Sequence, residues 1–190
     1  MIVLASRSPR RRQLLDMLGI KHVVDPAEID ESVQSGETPE DAALRLAREK
    51  ACLVARRHPG EHVLAADTVV VLDRQILGKP SAPEEAQQMI ARLAGRQHLV
   101  ITAVALVKDA AILQHHDVTR VWFRALDEEL ISAYVATGEP LDKAGSYGVQ
   151  GYGAVLVERI EGDFFSVMGL PLRLVIDLLA SAGIPYRFTR

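Results

Sequence analysis

An α/β fold, with a mixed twisted sheet and flanking helices, is what this sequence predicts, on three observations. Short apolar runs alternate with segments of helical period. Glycine and proline turn residues punctuate them, and no repeat, low-complexity tract or obvious linker interrupts them. A chain of 190 residues, 48% hydrophobic and 25% charged, is long enough to bury a continuous core. We therefore expect one domain over residues 1–190, formed as two lobes around a central cleft.

The elements follow in order. Met1 to Ala5 is an apolar run of strand type, and Ser8-Pro9 is an N-cap followed by proline at the first helical position. Leu14, Leu15 and Leu18 continue an apolar helical face that Gly19 stops. His22 to Val24 is a second short strand, followed by an acidic loop with Asp30, Glu31 and Glu37. Thr38 caps a helix that Pro39 starts, with Ala43, Leu46, Ala47, Cys52 and Leu53 on its apolar face and Pro59-Gly60 behind it. His62 to Leu72 is a strand, Asp73 to Gln75 a hairpin turn into Ile76-Leu77, and Pro83 to Leu93 a helix. Two long strands, His98 to Val107 and Ala111 to Arg124, meet at a turn on Lys108-Asp109. A helix over Asp127 to Thr137 is broken by Gly138-Glu139-Pro140. A glycine-rich stretch from Asp142 to Gly153 leads to a strand over Ala154 to Ile160, a turn at Gly162 and a closing helix over Leu170 to Ala182.

Composition removes several function classes. The formal net charge of −3, aromatic content of 5% and absence of a basic stripe speak against a nucleic-acid-binding module. No run approaches the roughly 18 apolar residues that span a bilayer, so no membrane partner is expected. Cys52 is the only cysteine, so no intramolecular disulfide forms, which suits a reducing, cytoplasmic compartment. The N-terminal charges follow a very short apolar stretch, the reverse of a secretory signal. General frequency alone suggests a homodimer, and no segment declares itself an interface.

Four clusters carry chemistry. Ser6-Arg7-Ser8-Pro9-Arg10-Arg11 places hydroxyls and guanidinium groups at a helix start, where backbone N–H groups and the dipole favour an anion. A capped surface helix with solvated arginines is the plainer alternative. Asp67-Thr68 lies inside an apolar run, and a carboxylate there must meet a cation, a metal or a hydrogen-bond network. Gly78-Lys79-Pro80 holds a lysine on a loop of restricted shape. Asp142 to Gly151 combines glycines with donors and acceptors, and it is neither a Walker A loop nor a dinucleotide fingerprint. Glu31 and Lys50 are anonymous in isolation. His115 and His116 are adjacent on a strand and face opposite sides, Cys52 reads as a core residue, Trp122 and Phe123 as strand packing, and Arg56-Arg57-His58 as a solvated helix end.

Together these segments resemble the Maf family of nucleotide pyrophosphatases over essentially the whole chain. The resemblance rests on S-R-S-P-R-R at Ser6 to Arg11, I-D-E-S at Ile29 to Ser32, R-E-K-A at Arg48 to Ala51, A-A-D-T-V-V at Ala65 to Val70, G-K-P at Gly78 to Pro80 and L-D-K-A-G-S-Y-G-V-Q-G at Leu141 to Gly151. It implies a fold similar to inosine triphosphate pyrophosphatases and hydrolysis of a nucleoside triphosphate to monophosphate and pyrophosphate. By the same resemblance Asp67 is a catalytic base or metal-anchoring carboxylate, and Glu31 is its partner in binding Mg²⁺ or Mn²⁺. Lys50 and Lys79 are implied to hold the triphosphate, with Ser8 and Arg11 at the phosphate-binding helix start. Arg10, Thr68 and Gln150 are similar to the branch that acts on dTTP and UTP. Arg7 departs from the pattern, in which a small residue is common at that place. The rival reading is a nucleotide-sensing regulator of cell division without turnover.

Overall fold

The computed structural model describes residues 1–188. Seven strands form a mixed sheet: β1 (Ile2–Leu4), β2 (His22–Val24), β3 (His62–Leu72), β4 (Gln75–Leu77), β5 (Gln97–Lys108), β6 (Ala111–Phe123) and β7 (Val157–Glu161). Their order is β2-β1-β3-β5-β6-β7, with β4 added on β3. β1 runs parallel to both β2 and β3, whereas β4 on β3 and β7 on β6 are antiparallel. The helices are α1 (Pro9–Met17), α2 (Pro39–Ala55), α3 (Pro83–Leu93), α4 (Glu128–Ala136), a single turn α5 (Phe164–Val167) and α6 (Leu172–Ser181). Among the described residues no helix is long and apolar enough to cross a membrane.

The chain divides into two compact units. The first comprises residues 1–67, 102–117 and 169 onward; the second comprises 68–101 and 118–168. In the first unit, α2 begins as its sequence dictates: Thr38 Oγ1 accepts from Asp41 N at 3.1 Å, with Pro39 behind the cap. Its buried stripe is Ala43, Leu46, Ala47, Lys50, Ala51 and Val54. Cys52 and Leu53, expected on that stripe, are only partly buried, because they lie about 100° per residue off it. The expected cap at Ser8 is also corrected: its side chain makes no capping bond, although Pro9 does start α1. Nor is the end of α2 simply solvated. Arg57 and His58 both reach Asp25, at 3.1 and 2.7 Å, and Arg57 also donates to Pro26 O.

In the second unit, Asp73 and Arg74 turn β3 into β4 with φ of +51° and +66°, the conformation a two-residue hairpin requires. α3 and α4 cover a core that contains Val70, Leu72, Ile90, Leu93, Val121 and Phe123. The glycine-rich stretch forms short 3-10 turns at Glu139–Asp142, Ala144–Ser146 and Gly151–Leu156. The last of these takes the first residues of the strand expected over Ala154 to Ile160, so β7 starts only at Val157. Gly162, as expected, turns the chain: its φ is +132° and a Cβ there would meet Thr119 Oγ1 at 2.5 Å.

This core holds one titratable group with a readable consequence. His98 is 2% exposed, with Nε2 against the Tyr147 hydroxyl at 2.8 Å and its ring edge-on to Phe123. Its Nδ1 has no partner, and burial pushes the imidazole down to about 4. The unfolded chain therefore binds a proton near pH 6.5 that the folded chain refuses. Stability from this group is complete above pH 6.5 and is lost as pH falls toward 4, by about 3 kcal/mol. His98→Gln is expected to flatten this part of the unfolding free energy between pH 4 and 6.5. Parallel curves for the two proteins would remove His98 from the acid response.

Candidate active site

Around Asp67 the first unit gathers the expected charges. β3 is buried along almost its whole length, and Asp67 in its middle is 7% exposed. Lys50, equally buried at 7%, extends from α2 and places Nζ 2.6 Å from Asp67 Oδ1. The same Nζ lies 2.6 Å from Glu31 Oε1, whose side chain is 45% exposed. One ammonium thus joins two carboxylates, one dry and one wet. Burial pushes the Asp67 carboxyl above its ordinary range, against the opposing pull of Lys50 and Arg11.

α1 brings the guanidinium. Arg11 Nε donates to Gly169 O at 2.8 Å and Nη1 to Ser6 Oγ at 3.3 Å. Ser6 Oγ also accepts from Ser8 N at 3.1 Å, so the turn into α1 is tied by the serine before the expected cap. Burial lowers the Arg11 pKa, while Asp67 and Glu31 raise it. Their influence records that the helix start, the acidic loop and β3 share one electrostatic neighbourhood. Ser8 and Arg10 are half-buried at the same helix start. Arg7 is drawn away into an exposed ion pair with Glu28.

Glu31 sits on a stretch without regular structure, so something must hold it. Arg45, five residues before Lys50 on α2, donates to Glu37 at 2.6 and 2.8 Å and to Ser32 O at 3.0 Å. That pairing holds the Glu37 carboxyl down at about 2. Ser32 N in turn caps on Asp30 Oδ1 at 2.9 Å. Sequence reasoning passed over Arg45; the signal was a long cation beside an otherwise apolar helical stripe, facing an acidic loop. Lys50 had a stronger one, because it occupies a core position of that stripe, where a lysine needs partners.

The remaining expected residues belong to the second unit. Thr68 follows Asp67 on β3, so its side chain points to the other face of the strand, and it is half-buried. Lys79 is exposed on its loop. Gly145 N donates to Gly78 O at 3.0 Å, which ties the Lys79 loop to the glycine-rich segment bearing half-buried Gln150. Gly145 itself has φ +66° and a Cβ there would meet Val70 at 2.8 Å, so only glycine fits.

For a hard divalent cation the donor chemistry fits. Glu31 and Asp67 each offer a carboxylate oxygen, here turned to Lys50 Nζ, and Mg²⁺ or Mn²⁺ takes one or two carboxylates together with waters and phosphates. Among the described residues no group of three or more His, Cys, Asp or Glu forms an all-protein cage.

Known proteins similar to this chain match it over nearly its whole length. A dTTP/UTP pyrophosphatase of Symbiobacterium thermophilum is 47% identical over 184 residues, spanning 97% of this chain and 95% of the relative. A dTTP/UTP pyrophosphatase of Myxococcus xanthus is 51% identical over 188 residues, spanning 97% and 94%. Among solved structures, the Ham1 protein of Staphylococcus aureus matches with a TM-score of 0.49 at 14% identity, over 82% of this chain and 79% of that one. The family model described as Maf-like protein matches residues 1–182, and with relatives this similar over this length the chain belongs to the Maf family.

Proposed function

We propose that this chain is a single-domain, cytoplasmic pyrophosphatase that hydrolyses the α–β phosphoanhydride of dTTP, UTP and related nucleoside triphosphates, releasing nucleoside monophosphate and pyrophosphate. The observation that carries this reading is Lys50 Nζ, buried at 2.6 Å from both Asp67 and Glu31, beside Arg11 at a helix start. Relatives that span nearly the whole chain, and carry the dTTP/UTP pyrophosphatase name, support it.

The chemistry has three demands: an activated water, an in-line approach and positive charge for the oxygens of the triphosphate. Asp67, with its carboxyl raised by burial, is a stronger base than an ordinary carboxylate and suits the removal of a proton from water. Arg11 and the N–H groups that open α1 favour phosphate oxygens, with Ser8 and Arg10 beside them. Lys50 holds Asp67 in place until substrate charge competes for it, and Lys79 is assigned to the triphosphate as an exposed point charge. Glu31 and Asp67 would hold Mg²⁺ or Mn²⁺, which would supply charge neutralisation at the phosphates. Gln150, with Thr68 beside it in role, is assigned to the base.

The test is pyrophosphate release from a panel of canonical and modified nucleotides, with Mg²⁺, Mn²⁺ or chelator. Metal-dependent release from dTTP and UTP is the expected result. No release from any nucleotide, by folded protein that binds them, would replace the enzyme with the sensor. In the same assay Gln150→Ala and Thr68→Ala are expected to change base preference more than thermal stability. Equal rate losses on every nucleotide would count against base reading.

A further inference from the structure

Gln150 stands in the middle of a segment whose backbone is held from both ends by one carboxylate. Glu139 opens the 3-10 turn that follows α4. Its Oε2 accepts from Tyr152 N at 2.9 Å and its Oε1 from Gly153 N at 3.0 Å. The same Oε1 accepts from the Tyr134 hydroxyl at 3.0 Å, and that hydroxyl accepts from Gly148 N at 3.2 Å. The amides of residues 148, 152 and 153 therefore converge on Glu139, directly or through Tyr134, and Gln150 lies between them. Burial pushes the Tyr134 phenol up, so it remains a donor to the carboxylate.

The glycines on this segment fit the same arrangement. Gly151 has φ +77°, and a Cβ there would come within 2.5 Å of Glu139 Oε2. A Cβ at Gly153 would collide with Gly148 O and lie 2.7 Å from the Tyr134 hydroxyl. The backbone wraps the carboxylate too closely for any side chain. From the opposite side Lys143 Nζ donates to Glu139 O at 2.5 Å and Asp142 Oδ1 at 2.7 Å, fixing the turn on which Glu139 sits.

We propose that Glu139 is a positioning residue for base selection: it holds residues 148–153 in one conformation and so fixes the direction in which Gln150 is presented. This rests on the base-reading role assigned to Gln150 and deepens it. Glu139 itself touches no reacting atom. Removing it leaves three backbone or phenol donors without their acceptor, and a hydrogen bond to a charged group contributes enough to shift a local equilibrium by about tenfold or more.

The experiment compares wild type, Glu139→Ala, Glu139→Gln, Gln150→Ala and the Glu139→Ala/Gln150→Ala pair, all as the full chain. Three quantities are read: the ratio of dTTP to GTP affinity by calorimetry, kcat and KM on both nucleotides, and amide exchange at Tyr152 and Gly153. Expected is about tenfold faster exchange in Glu139→Ala. Its base ratio should fall as far as that of Gln150→Ala, with KM moving more than kcat and no further loss in the pair. Glu139→Gln, which keeps one acceptor oxygen and the fold, should be intermediate. If Gln150→Ala shifts the ratio and both Glu139 variants leave it unchanged, the positioning role is overturned and base reading stands. If Gln150→Ala leaves the ratio unchanged, base reading fails and takes the proposal with it. Because affinity is read separately from turnover, absent pyrophosphate release would overturn only the enzymatic reading.

Discussion

Asp67→Asn is expected to lower kcat for pyrophosphate release by about 10²–10⁴-fold while the protein stays folded. The amide cannot take a proton from water and is a poor ligand for a hard cation, so both roles open to Asp67 are lost together. The fold should tolerate the change for an electrostatic reason. Burial raises the Asp67 carboxyl above its unfolded value near 3.9, so the ionised form is a burden to the native state at neutral pH. A group raised in this direction contributes stability below its unfolded pKa and loses it as pH rises through its folded pKa. Replacing it by a neutral isostere removes that burden, and Lys50 keeps Glu31 as a partner. The check is kcat with a thermal melt of the same sample. Undiminished turnover in a folded variant would take Asp67 out of the reaction. In the wild type, the acid limb of kcat/KM should lie above the range of an ordinary carboxylate, because the base must be ionised to work.

Much of the fold was legible because its signals are local. Thr38-Pro39 and Pro83 fix helix starts through proline's φ and the loss of an N–H that would be unpaired there anyway, and α3 spans the expected residues. The apolar run ending at Leu72, followed by the polar residues Asp73 to Gln75, signals a hairpin, which Asp73 and Arg74 form. The misreadings fall where apolar content and burial part company. Val155 is 57% exposed, yet it looks like strand interior, and a 3-10 turn has too few residues to show a period. The single turn of α5 escaped for the same reason.

The site was less legible, since its geometry depends on contacts between distant segments. Asp67 announced itself because a carboxylate in an apolar strand demands a partner. Its partner is not legible in the sequence, because Lys50 lies on the buried stripe of α2 among residues that look apolar, whereas Cys52, which looks like part of that stripe, does not. Glu31 and Lys50 are separated by an irregular loop whose path is set by Arg45 on Glu37 and Ser32, and no sequence period encodes such a path. Glu139 was read only as part of a helix breaker. Its acceptor role depends on amides more than ten residues later, at Tyr152 and Gly153.

Lys50→Met is expected to be the most destabilising single change among these residues. Methionine keeps the length and much of the volume of the stem, so the packing on α2 is largely preserved and the loss is electrostatic. Removing one partner of a buried ion pair costs about 3–5 kcal/mol, because the remaining charge is left without compensation. In a chain of this size that corresponds to a fall in Tm of about 10 °C. The dependence on pH identifies the cause. Lys50 pulls the Asp67 carboxyl down against burial, so without it the folded pKa of Asp67 rises further. Below the folded pKa Asp67 is neutral and Lys50 matters little to it. Above it the carboxylate is ionised, and the variant lacks the hydrogen-bonded cation and keeps only the weaker pull of Arg11. The gap in Tm between wild type and Lys50→Met should therefore open as pH rises through the folded pKa of Asp67 and close as pH falls below it. Adding Asp67→Asn should recover most of the loss, since the orphaned charge is removed along with its partner. A gap independent of pH, or a double variant no better than Lys50→Met, would reduce Lys50 to a packing residue.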